Sequence, residues 1–336
     1  MTTNQQHELK NLKKELLFYY ESRQNPNGDP GFENQPRLMS DGTIMVTDVR
    51  IKRTIRDYAK NKYGVILFVD FGEGGTAVTA DNRAKEILGN NLNEGIKGLA
   101  AKTFDVPLFG GLVTIRSDKS GSGSSQKLTG PVQFAIGRSI NQVQVLSPQI
   151  VGRFVGKEKK SNSQSGGEQE QFSTFGKFYA VDYALIKIQG AVNPTNLGEY
   201  LEDDAVVQNF QNAESKLFPS LWDGTNALIT RSKFPQRSIF FLEVTYDGSI
   251  YNDLPVLVEE DSALKGSVSG LTESPLKFDK LLEALKARKT KIKKVRLAAC
   301  KELLKDTQKL EADIKALGIS AVELIKTEEP AGVTDI

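Results

Sequence analysis

The chain has 336 residues, of which 39% are hydrophobic, so it can bury a substantial core as one elaborated domain or two small ones. Its 44 Lys and Arg residues are nearly balanced by 42 Asp and Glu residues, and with a net charge of +2 any contact with a polyanion must depend on local clusters. One cysteine and one histidine exclude an intramolecular disulfide and a zinc site built from Cys and His.

The first predicted element is a strand at 16–20, a short apolar and aromatic run that follows a polar tail at 1–14. The tail lacks the apolar centre of a signal peptide, and no run approaches the roughly eighteen apolar residues that a membrane span needs. We therefore expect a cytoplasmic protein with no membrane partner.

A turn-rich loop and a basic helix follow the first strand. Asn25-Pro26 and Asn27-Gly28 are turn dipeptides, so the loop has a defined shape and is not a random linker. Thr47 lies in a helix start signal, apolar residues then recur at helical spacing, and Gly64 is placed to end the helix. The sequence thus predicts a helix over 47–62, with basic residues projecting from its polar side: Arg50, Arg53, Arg56 and Lys60, with Lys52 at the margin.

The segment 65–128 is less regular and is interpreted as an insertion. It contains an apolar strand at 65–69, helices near 81–88 and 92–102, and a tight glycine turn at 105–111. The glycine- and serine-rich stretch 117–126 is typical of a flexible loop.

Three further strands are predicted at 132–136, 181–188 and 239–244, with a helix at 203–217 before the last of them. The polar segment 152–171 between the second and third strands is expected to protrude. With the insertions removed, the order predicts an α+β fold with the split βαβ sheet of a ferredoxin-like or RNA-recognition-motif domain.

The C-terminal part is predicted to be strongly helical over 276–316, because leucines recur there at helical spacing. A dense basic run at 286–296 is interpreted as a solvated helix face, with a second nucleic-acid contact as the alternative. The residues after 326 form an acidic tail.

Catalytic chemistry has few candidates. The only histidine, His7, lies in the polar tail, which excludes a Ser-His-Asp or Cys-His arrangement, and no phosphate-binding glycine motif occurs. The remaining candidates are four carboxylates near the opening loop, which either position a metal or general base or simply form turns and a helix cap. These are Asp29, Glu33, Asp41 and Asp48. We favour turns and a cap, and so predict no catalytic residue, metal or cofactor.

Nucleic-acid binding has more support. Lys and Arg side chains that neutralise phosphates release counterions, which gives affinity independent of sequence. Neutral side chains and loop N–H groups add donors to phosphate and ribose oxygens. The candidates are the basic Arg37, Lys52, Arg53 and Arg56 and the neutral Asn25, Asn27 and Thr47. The alternative is that the basic residues are only the solvated side of a packed helix.

Several long segments together resemble a known family. The runs NPNGDP…NQPRL…VTDVRIKRTIRDY, PLFGGLV, LTGPVQFAIGRSINQV and FYAVDYALIKIQGAVNP occur in this order over about residues 15–250. They resemble the crRNA-binding backbone subunit of type I CRISPR Cascade effectors, the Cas-seven family, and most closely its subtype I-B branch.

The resemblance implies a hand-shaped subunit with a palm, a finger and a thumb. The palm, a modified RNA-recognition-motif sheet, would occupy 15–64 and 129–250, the finger 65–128, the thumb a part of 139–180, and a C-terminal helical segment 251–326. Copies of such a subunit line up with other Cascade subunits on one guide crRNA. The thumb kinks the guide at intervals, and the bases between kinks pair with target DNA.

The family's contacts with the RNA backbone carry over by position to Thr47, Lys52, Arg53 and Arg56, and also to Asn25, Asn27 and Arg37. Arg50 shares the cationic helix face, and Arg138 lies in a family-like motif. Candidate thumb wedges are Phe172, Phe175 and Phe178, which are equally consistent with ordinary packing.

Two alternatives to a guide-binding backbone subunit remain at this point. Type III relatives cleave target RNA with an aspartate in the corresponding loop, which makes a metal-dependent ribonuclease the second hypothesis. A free-standing RNA-binding protein with the same fold is the third.

Overall fold

The structure is a computed structural model that describes residues 8–72, 75–116, 123–151 and 175–327. The strands are β1 Leu12–Ser22, β2 Gly28–Asp29, β3 Gln35–Pro36, β4 Met45–Val46, β5 Gly110–Arg116, β6 Gly123–Thr129, β7 Val132–Phe134, β8 Gly137–Ser139, β9 Val145–Leu146, β10 Gln149–Val151, β11 Phe175–Lys177, β12 Ala180–Val181, β13 Ala184–Val192, β14 Gln236–Asp247, β15 Glu259–Glu260, β16 Leu276–Lys277, β17 Ile292–Ala299 and β18 Val322–Leu324.

The α-helices are a turn α1 at 8–11, α2 Asp48–Tyr63, α3 Ala80–Leu88, α4 Gly95–Lys102, α5 Val106–Phe109, α6 Asp204–Ser215, α7 Leu217–Asn226, α8 Leu254–Leu257, α9 Asp279–Arg288 and α10 Leu304–Ala316. Short 3₁₀ helices occur at Pro30–Phe32, Gly89–Glu94, Pro194–Glu202, Ser262–Lys265, Lys289–Lys291 and Lys301–Leu303. Within the described ranges, no helix combines the length and the apolar character needed to cross a membrane.

A mixed eight-stranded sheet is the centre of the fold. Its strands lie in the order β18-β17-β14-β1-β13-β8-β4, and β7 also pairs with β13. β1 pairs antiparallel with both β13 and β14, and β13 pairs antiparallel with β8. Because β13 is antiparallel to both neighbours, β1 and β8 run in the same direction on either side of it. The chain from β1 through α2 to β8 therefore joins two parallel strands that have β13 between them.

Strand β1 shows why the sheet is buried on both faces. Leu16, Phe18 and Tyr20 belong to the hydrophobic cluster that also contains the apolar face of α2, whereas Leu17 and Tyr19 belong to the cluster beneath α9 and α10. Successive strand residues point to opposite faces, so a strand covered on both sides is apolar at consecutive positions. The continuous run LLFYY is thus explained by helices on both faces of the sheet.

Helix α2 confirms the most detailed prediction from the sequence. Thr47 caps it by accepting a hydrogen bond from the Arg50 N–H at 3.4 Å, and Gly64 ends it with a φ of +63°. The interpretation of Asp48 as the cap is wrong, since Asp48 is the first residue inside the helix. Its carboxylate still lies at the positive end of the helix dipole, where negative charge is favourable.

Other predicted elements are found with shifted bounds. Helix 203–217 is observed as α6 followed by α7, and its cap Asp203 accepts from two backbone N–H groups. The strands predicted at 132–136, 181–188 and 239–244 correspond to β7, to β12 with β13, and to β14. Helices near 81–88 and 92–102 correspond to α3 and α4, separated by a 3₁₀ turn.

Two predictions for the segment 65–116 are wrong. No strand forms at 65–69, because the N–H groups of Phe68 and Val69 donate to the Asp105 carboxylate and not to a neighbouring strand. The predicted turn at 105–111 is the short helix α5 followed by β5. Part of the predicted flexible loop, 123–126, pairs as β6 with β5, and 117–122 lies outside the described residues.

The C-terminal prediction of helix throughout 276–316 is wrong. Between α9 and α10 the basic run enters the main sheet as β17, which pairs antiparallel with β14. Its apolar residues Ile292, Val295 and Leu297 are buried, and pairing with an apolar sheet edge outweighs local helix preference. The basic residues of β17 are ion-paired across the sheet, Lys293 with Asp247 at 2.9 Å for example. They therefore do not form a solvated helix face.

Two short antiparallel ladders leave the sheet after β8. β9 pairs with β12, and β10 pairs with β11. The chain between β10 and β11, including all of the predicted protruding segment 152–171 and Phe172, lies outside the described residues. These ladders are the described part of the segment in which the thumb was expected.

Candidate nucleic-acid interface

The opening loop is fixed to the first turn of α2 by its asparagines. The Asn27 Oδ1 accepts hydrogen bonds from the Thr47 N–H at 3.3 Å and the Thr47 hydroxyl at 3.0 Å. The Asn25 Nδ2 donates to the Asn34 carbonyl at 2.5 Å. Gly28 is required here, since a Cβ at this position would lie 2.9 Å from the Asn34 carbonyl oxygen. The loop has a defined shape held by hydrogen bonds, as its turn dipeptides predict.

Arg56 does not project from a cationic surface. The residue is 8% exposed, and its Nε donates to the Asp105 Oδ2 at 2.8 Å. Asp105 is fully buried and also accepts from the N–H groups of Phe68 and Val69. A buried, charge-assisted pair of this kind joins α2 to the 65–116 segment. The prediction that Arg56 lies on the exposed face of the helix is wrong. Its counterion, Asp105, lies 49 residues further along the chain, and the segment that carries Asp105 packs against this side of α2.

Lys52 and Arg53 lie nearer to solvent, and each has a counterion on α2. The Lys52 ammonium is 3.1 Å from Asp48 and 3.3 Å from the Gln133 Oε1. The Arg53 guanidinium contacts both oxygens of Asp57 at 2.8 Å. Both pairs have the spacing i, i+4 that stabilises isolated helices. Three of the cations predicted to bind RNA therefore already neutralise carboxylates of this chain.

Arg50, in the first turn of α2, differs from the later cations of the helix. No ion pair or side-chain hydrogen bond joins its guanidinium to any residue in the described part of the chain, and burial lowers its pKa. It borders a cavity of about 510 Å³. The cavity is lined by Asn25, Asn27, Gly28, Glu33, Asn34, Arg50, Lys177, Phe178, Tyr179, Arg231, Ser232 and Lys233.

The far wall of this cavity is the loop between α7 and β14. The Asn25 N–H donates to the Ser232 carbonyl at 2.9 Å, and the Lys233 ammonium donates to the Asn25 carbonyl at 2.6 Å. Burial, together with the positive charge of Arg50, lowers the pKa of Lys233 to about 8. This loop was not predicted to take part in the site, yet two hydrogen bonds hold it against the opening loop.

The rim of the cavity carries one ion pair and two aromatic rings. The Lys177 ammonium contacts the Glu33 carboxylate at 2.8 and 2.9 Å, and the Tyr179 hydroxyl donates to it at 3.0 Å. The hydrogen bond from Lys177 lowers the pKa of Glu33, and the same bond raises the pKa of Lys177. The Arg231 guanidinium lies 5.5 Å from the centre of the Phe178 ring. Phe178 is therefore a cavity residue, and the side chain of Phe175 lies outside the described set.

Arg37 and Arg138 each face a carboxylate of the opening segment. Arg37 lies 3.4 Å from Asp29, and Arg138 lies 3.0 Å from Asp41. Asp29 also caps a 3₁₀ turn, and Asp41 accepts from the N–H and hydroxyl of Thr43, whose hydroxyl bond is the main cause of the lowered pKa of Asp41. Turn formation by Asp29 and Asp41 is thus confirmed. No group of three or more His, Cys, Asp or Glu side chains in the described ranges is arranged to hold a metal ion.

Four of the nine predicted residues meet in one place. Asn25, Asn27 and Arg50 border the cavity, and Thr47 fixes Asn27. The other five are held by carboxylates elsewhere. Arg231 and Lys233 were not predicted to take part in the site. The only signal for them was a pair of basic residues before a proline, and nothing local indicates that Lys233 contacts a loop about two hundred residues earlier or that Arg231 lies over Phe178.

Comparisons with known proteins bear on the identity of the chain. Two solved structures are similar to it, one described as a CRISPR RNA-guided surveillance complex in a pre-nicking state and the other as a CRISPR RNA-guided surveillance complex. The first is 13% identical over 86% of this chain and 92% of that chain, and the second is 15% identical over 94% and 95%, each with a TM-score of 0.48. No curated protein matches the chain.

The family assignment depends on a family model and not on these distant structures. The model described as CRISPR-associated protein Cas7 matches residues 12–269, well over half of the chain. The match contains every segment on which the sequence resemblance was based, and also β14 and the Arg231–Lys233 loop. The chain therefore belongs to the Cas7 family of CRISPR-associated proteins.

Proposed function

We propose that this chain is the backbone subunit of a type I CRISPR Cascade effector, of subtype I-B, and that it binds guide crRNA along its phosphate backbone. Further copies of the chain line up on the same guide as a helical filament, together with other Cascade subunits. Guide bases between the protein contacts stay free to pair with target DNA, so base pairing and not the protein reads the sequence. Membership of the Cas7 family is the observation that carries this proposal.

The sheet topology supports an RNA-recognition-motif palm. β14, β1, β13 and β8 are neighbours, and the helices α2 and α6–α7 connect β1 to β8 and β13 to β14. The first connection joins β1 to β8, with β13 between them, and the second joins β13 to β14, with β1 between them. A split βαβ arrangement requires such an intervening strand in each connection. The segment 65–128 then serves as the finger, and the ladders after β8 form the base of the thumb.

The role we propose is binding and not catalysis. The carboxylates of the opening segment that a type III ribonuclease would use are engaged: Asp29 with Arg37, Glu33 with Lys177, and Asp41 with Arg138. A carboxylate that forms turns and neutralises a neighbouring cation is poorly placed to hold a metal ion. Complementary RNA should therefore remain intact when the purified complex is supplied with magnesium.

Co-expression with a guide RNA tests the proposal. The chain should purify with RNA of uniform length in an assembly of several copies, visible by electron microscopy as a curved filament. Recovery of a monomer without RNA would contradict the proposed function. Cleavage of complementary RNA that depends on a metal and is lost in Asp29→Ala or Asp41→Ala would instead support the ribonuclease hypothesis.

A further inference from the structure

The cavity at the first turn of α2 has an excess of positive charge that nothing in the described part of the chain neutralises. Arg50, Arg231 and Lys233 border it, and none of them forms an ion pair within the described ranges. The remaining charged residues of the wall, Lys177 and Glu33, neutralise each other at 2.8 Å. The cavity thus has three cations without an ion-pair contact, and its one carboxylate is already paired; the nearest acidic influence on Arg50 is the more distant Asp57, which itself pairs with Arg53.

This arrangement is unfavourable for the protein alone. Arg50 and Lys233 are partly withdrawn from water, and a cation withdrawn from water without an ion pair loses hydration and gains no ion pair in return, whereas Arg231 remains exposed. Arg50 also lies at the N-terminal end of α2, where the helix dipole favours negative charge, and the nearest carboxylate of that turn, Asp48, is paired with Lys52. An anionic group bound between Arg50 and Lys233 would give both cations an ionic partner, and it would place negative charge at the N-terminal end of α2. Uncompensated charges of this kind concentrate at functional sites.

The walls of the cavity are held in position before any ligand arrives. Asn27 and Thr47 join the opening loop to α2, and Asn25 is joined to Ser232 and Lys233 by two further hydrogen bonds. Three segments that are distant in sequence therefore meet at fixed geometry. Of the three cations without an ion pair, only Lys233 is itself held by a hydrogen bond within the described ranges, and a site whose walls are already in place loses less conformational freedom when it binds an anion.

We infer that this cavity binds one phosphodiester group of an RNA strand, and that Arg231 and Lys233, together with Arg50, supply its charge. Arginine forks and lysine ammonium groups are the side chains that bind phosphate oxygens. The Phe178 ring lies beside Arg231, and Tyr179 also lines the cavity; an aromatic face next to a phosphate-binding cation suits a single-stranded nucleotide better than an inorganic anion. The inference rests on the proposed function and adds the loop between α7 and β14 to the RNA-binding surface.

A second cavity offers a matched control. It lies between α9 and α10, has a volume of about 230 Å³, and contains the two cations Lys277 and Lys309. Three carboxylates, those of Asp279, Asp306 and Asp313, line the same cavity. Because its acidic groups outnumber its cations, it should repel a phosphate, and removal of its lysines changes the net charge of the protein by the same amount.

The test measures binding of a fluorescent single-stranded RNA to the full-length chain across a range of salt concentrations. Arg231→Ala/Lys233→Ala should weaken binding about tenfold or more, since charge-assisted hydrogen bonds to phosphate are lost. The slope of log affinity against log salt should decrease by about 0.7, because one phosphate of the RNA is no longer neutralised. Lys277→Ala/Lys309→Ala should change neither quantity.

A second variant distinguishes the loss of a binding site from misfolding of the protein. Arg231 is exposed and makes no hydrogen bond within the described residues, so Arg231→Glu should fold normally and still weaken binding. If both cavity variants bind RNA with the same affinity and salt slope as the parent, the inference is wrong. RNA binding by the parent would in that case leave the proposed function intact. Absence of RNA binding by the parent would overturn both.

Discussion

The basic residues on and around α2 form two groups, which differ in whether a carboxylate contacts them. Lys52, Arg53 and Arg56 follow the helix toward its C-terminus, and each contacts a carboxylate at about 3 Å or less. Arg50, one turn earlier, and Lys233, from a distant loop, form no ion pair within 4 Å in the described part of the chain. All five residues carry the same charge in the sequence, but only the second group has charge left to bind another molecule.

The difference indicates that the number of basic residues on a helix face overstates the charge that is free to bind RNA. A cation that already contacts a carboxylate must separate from it before it can neutralise a phosphate, so its net gain from binding is small. A cation without a counterion gains the full interaction. We therefore expect RNA affinity to depend on the cavity group and protein stability to depend on the paired group.

The largest expected effect tests the paired group. Arg56→Ala leaves the fully buried Asp105 without its cation, and breaking a buried pair from one side costs about 3–5 kcal/mol. Urea denaturation should show this loss in the free energy of unfolding. Arg53→Ala removes an exposed pair and should cost about 0–1 kcal/mol. If Arg56→Ala is as mild as Arg53→Ala, the structural role of Arg56 is wrong.

The next prediction separates the two groups on a single helix. Arg50→Met removes an uncompensated cation, so RNA affinity should fall about tenfold, which corresponds to about 1.4 kcal/mol. The free energy of unfolding should stay unchanged or rise, because no ion pair is broken. Arg53→Met, one turn later, is the matched control and should leave RNA affinity within about twofold. Equal losses of affinity in the two variants would remove the distinction between the groups.

A pH titration tests Lys233 without changing the fold. Its pKa of about 8 lies below the ordinary lysine pKa, so the free protein loses this charge as the pH rises through about 8. RNA affinity should fall between about pH 7 and about pH 9, and Lys233→Met should flatten that dependence. An adenosine homopolymer is the suitable ligand, because its bases do not titrate in this range.

The lowered pKa of Lys233 also predicts how the stability of the fold depends on pH. Stability should rise with pH, whereas RNA affinity should fall. A lysine whose pKa is lowered in the folded state destabilises the fold while both states are protonated, which holds below about pH 8. That cost disappears as the pH rises toward the ordinary lysine value of about 10.4. The parent should therefore gain stability relative to Lys233→Met between about pH 8 and about pH 10. A constant difference across this range would contradict the lowered pKa.

The smallest expected effect concerns the rim of the cavity. Glu33→Gln removes a negative charge that neutralises Lys177, so RNA affinity should rise, by less than about fivefold since the pair is exposed. Asp247→Asn, which removes a carboxylate paired with Lys293 on the main sheet, is the control and should leave RNA affinity unchanged. A decrease in affinity for Glu33→Gln would mean that the carboxylate itself takes part in binding.

The sequence was a reliable guide wherever local rules decide the structure. Thr47 and Gly64 predicted the two ends of α2, and the apolar run around Phe18 predicted the central strand. The family also followed from the sequence, because its motifs occupy long contiguous segments. Capping, helical spacing and strand burial are properties of neighbouring residues, so they can be predicted from neighbouring residues.

The sequence misled wherever distant contacts decide. The basic run that forms β17 was predicted as helix because its partner β14 is distant in sequence. Arg56 was placed on the surface because Asp105 is distant, and Lys233 was overlooked because the loop that it joins begins near Asn25. Which cations of a cluster remain available for a ligand is a property of the folded chain.

Crosslinking of the assembled ribonucleoprotein tests the central claim most directly. Ultraviolet irradiation followed by mass spectrometry identifies the residues in contact with the bound guide RNA. We expect crosslinks at Phe178 and Tyr179 on the rim and in the Arg231–Lys233 loop. Crosslinks confined to the later turns of α2 around Arg53, with none at the cavity, would contradict the claim that the uncompensated cations hold the RNA.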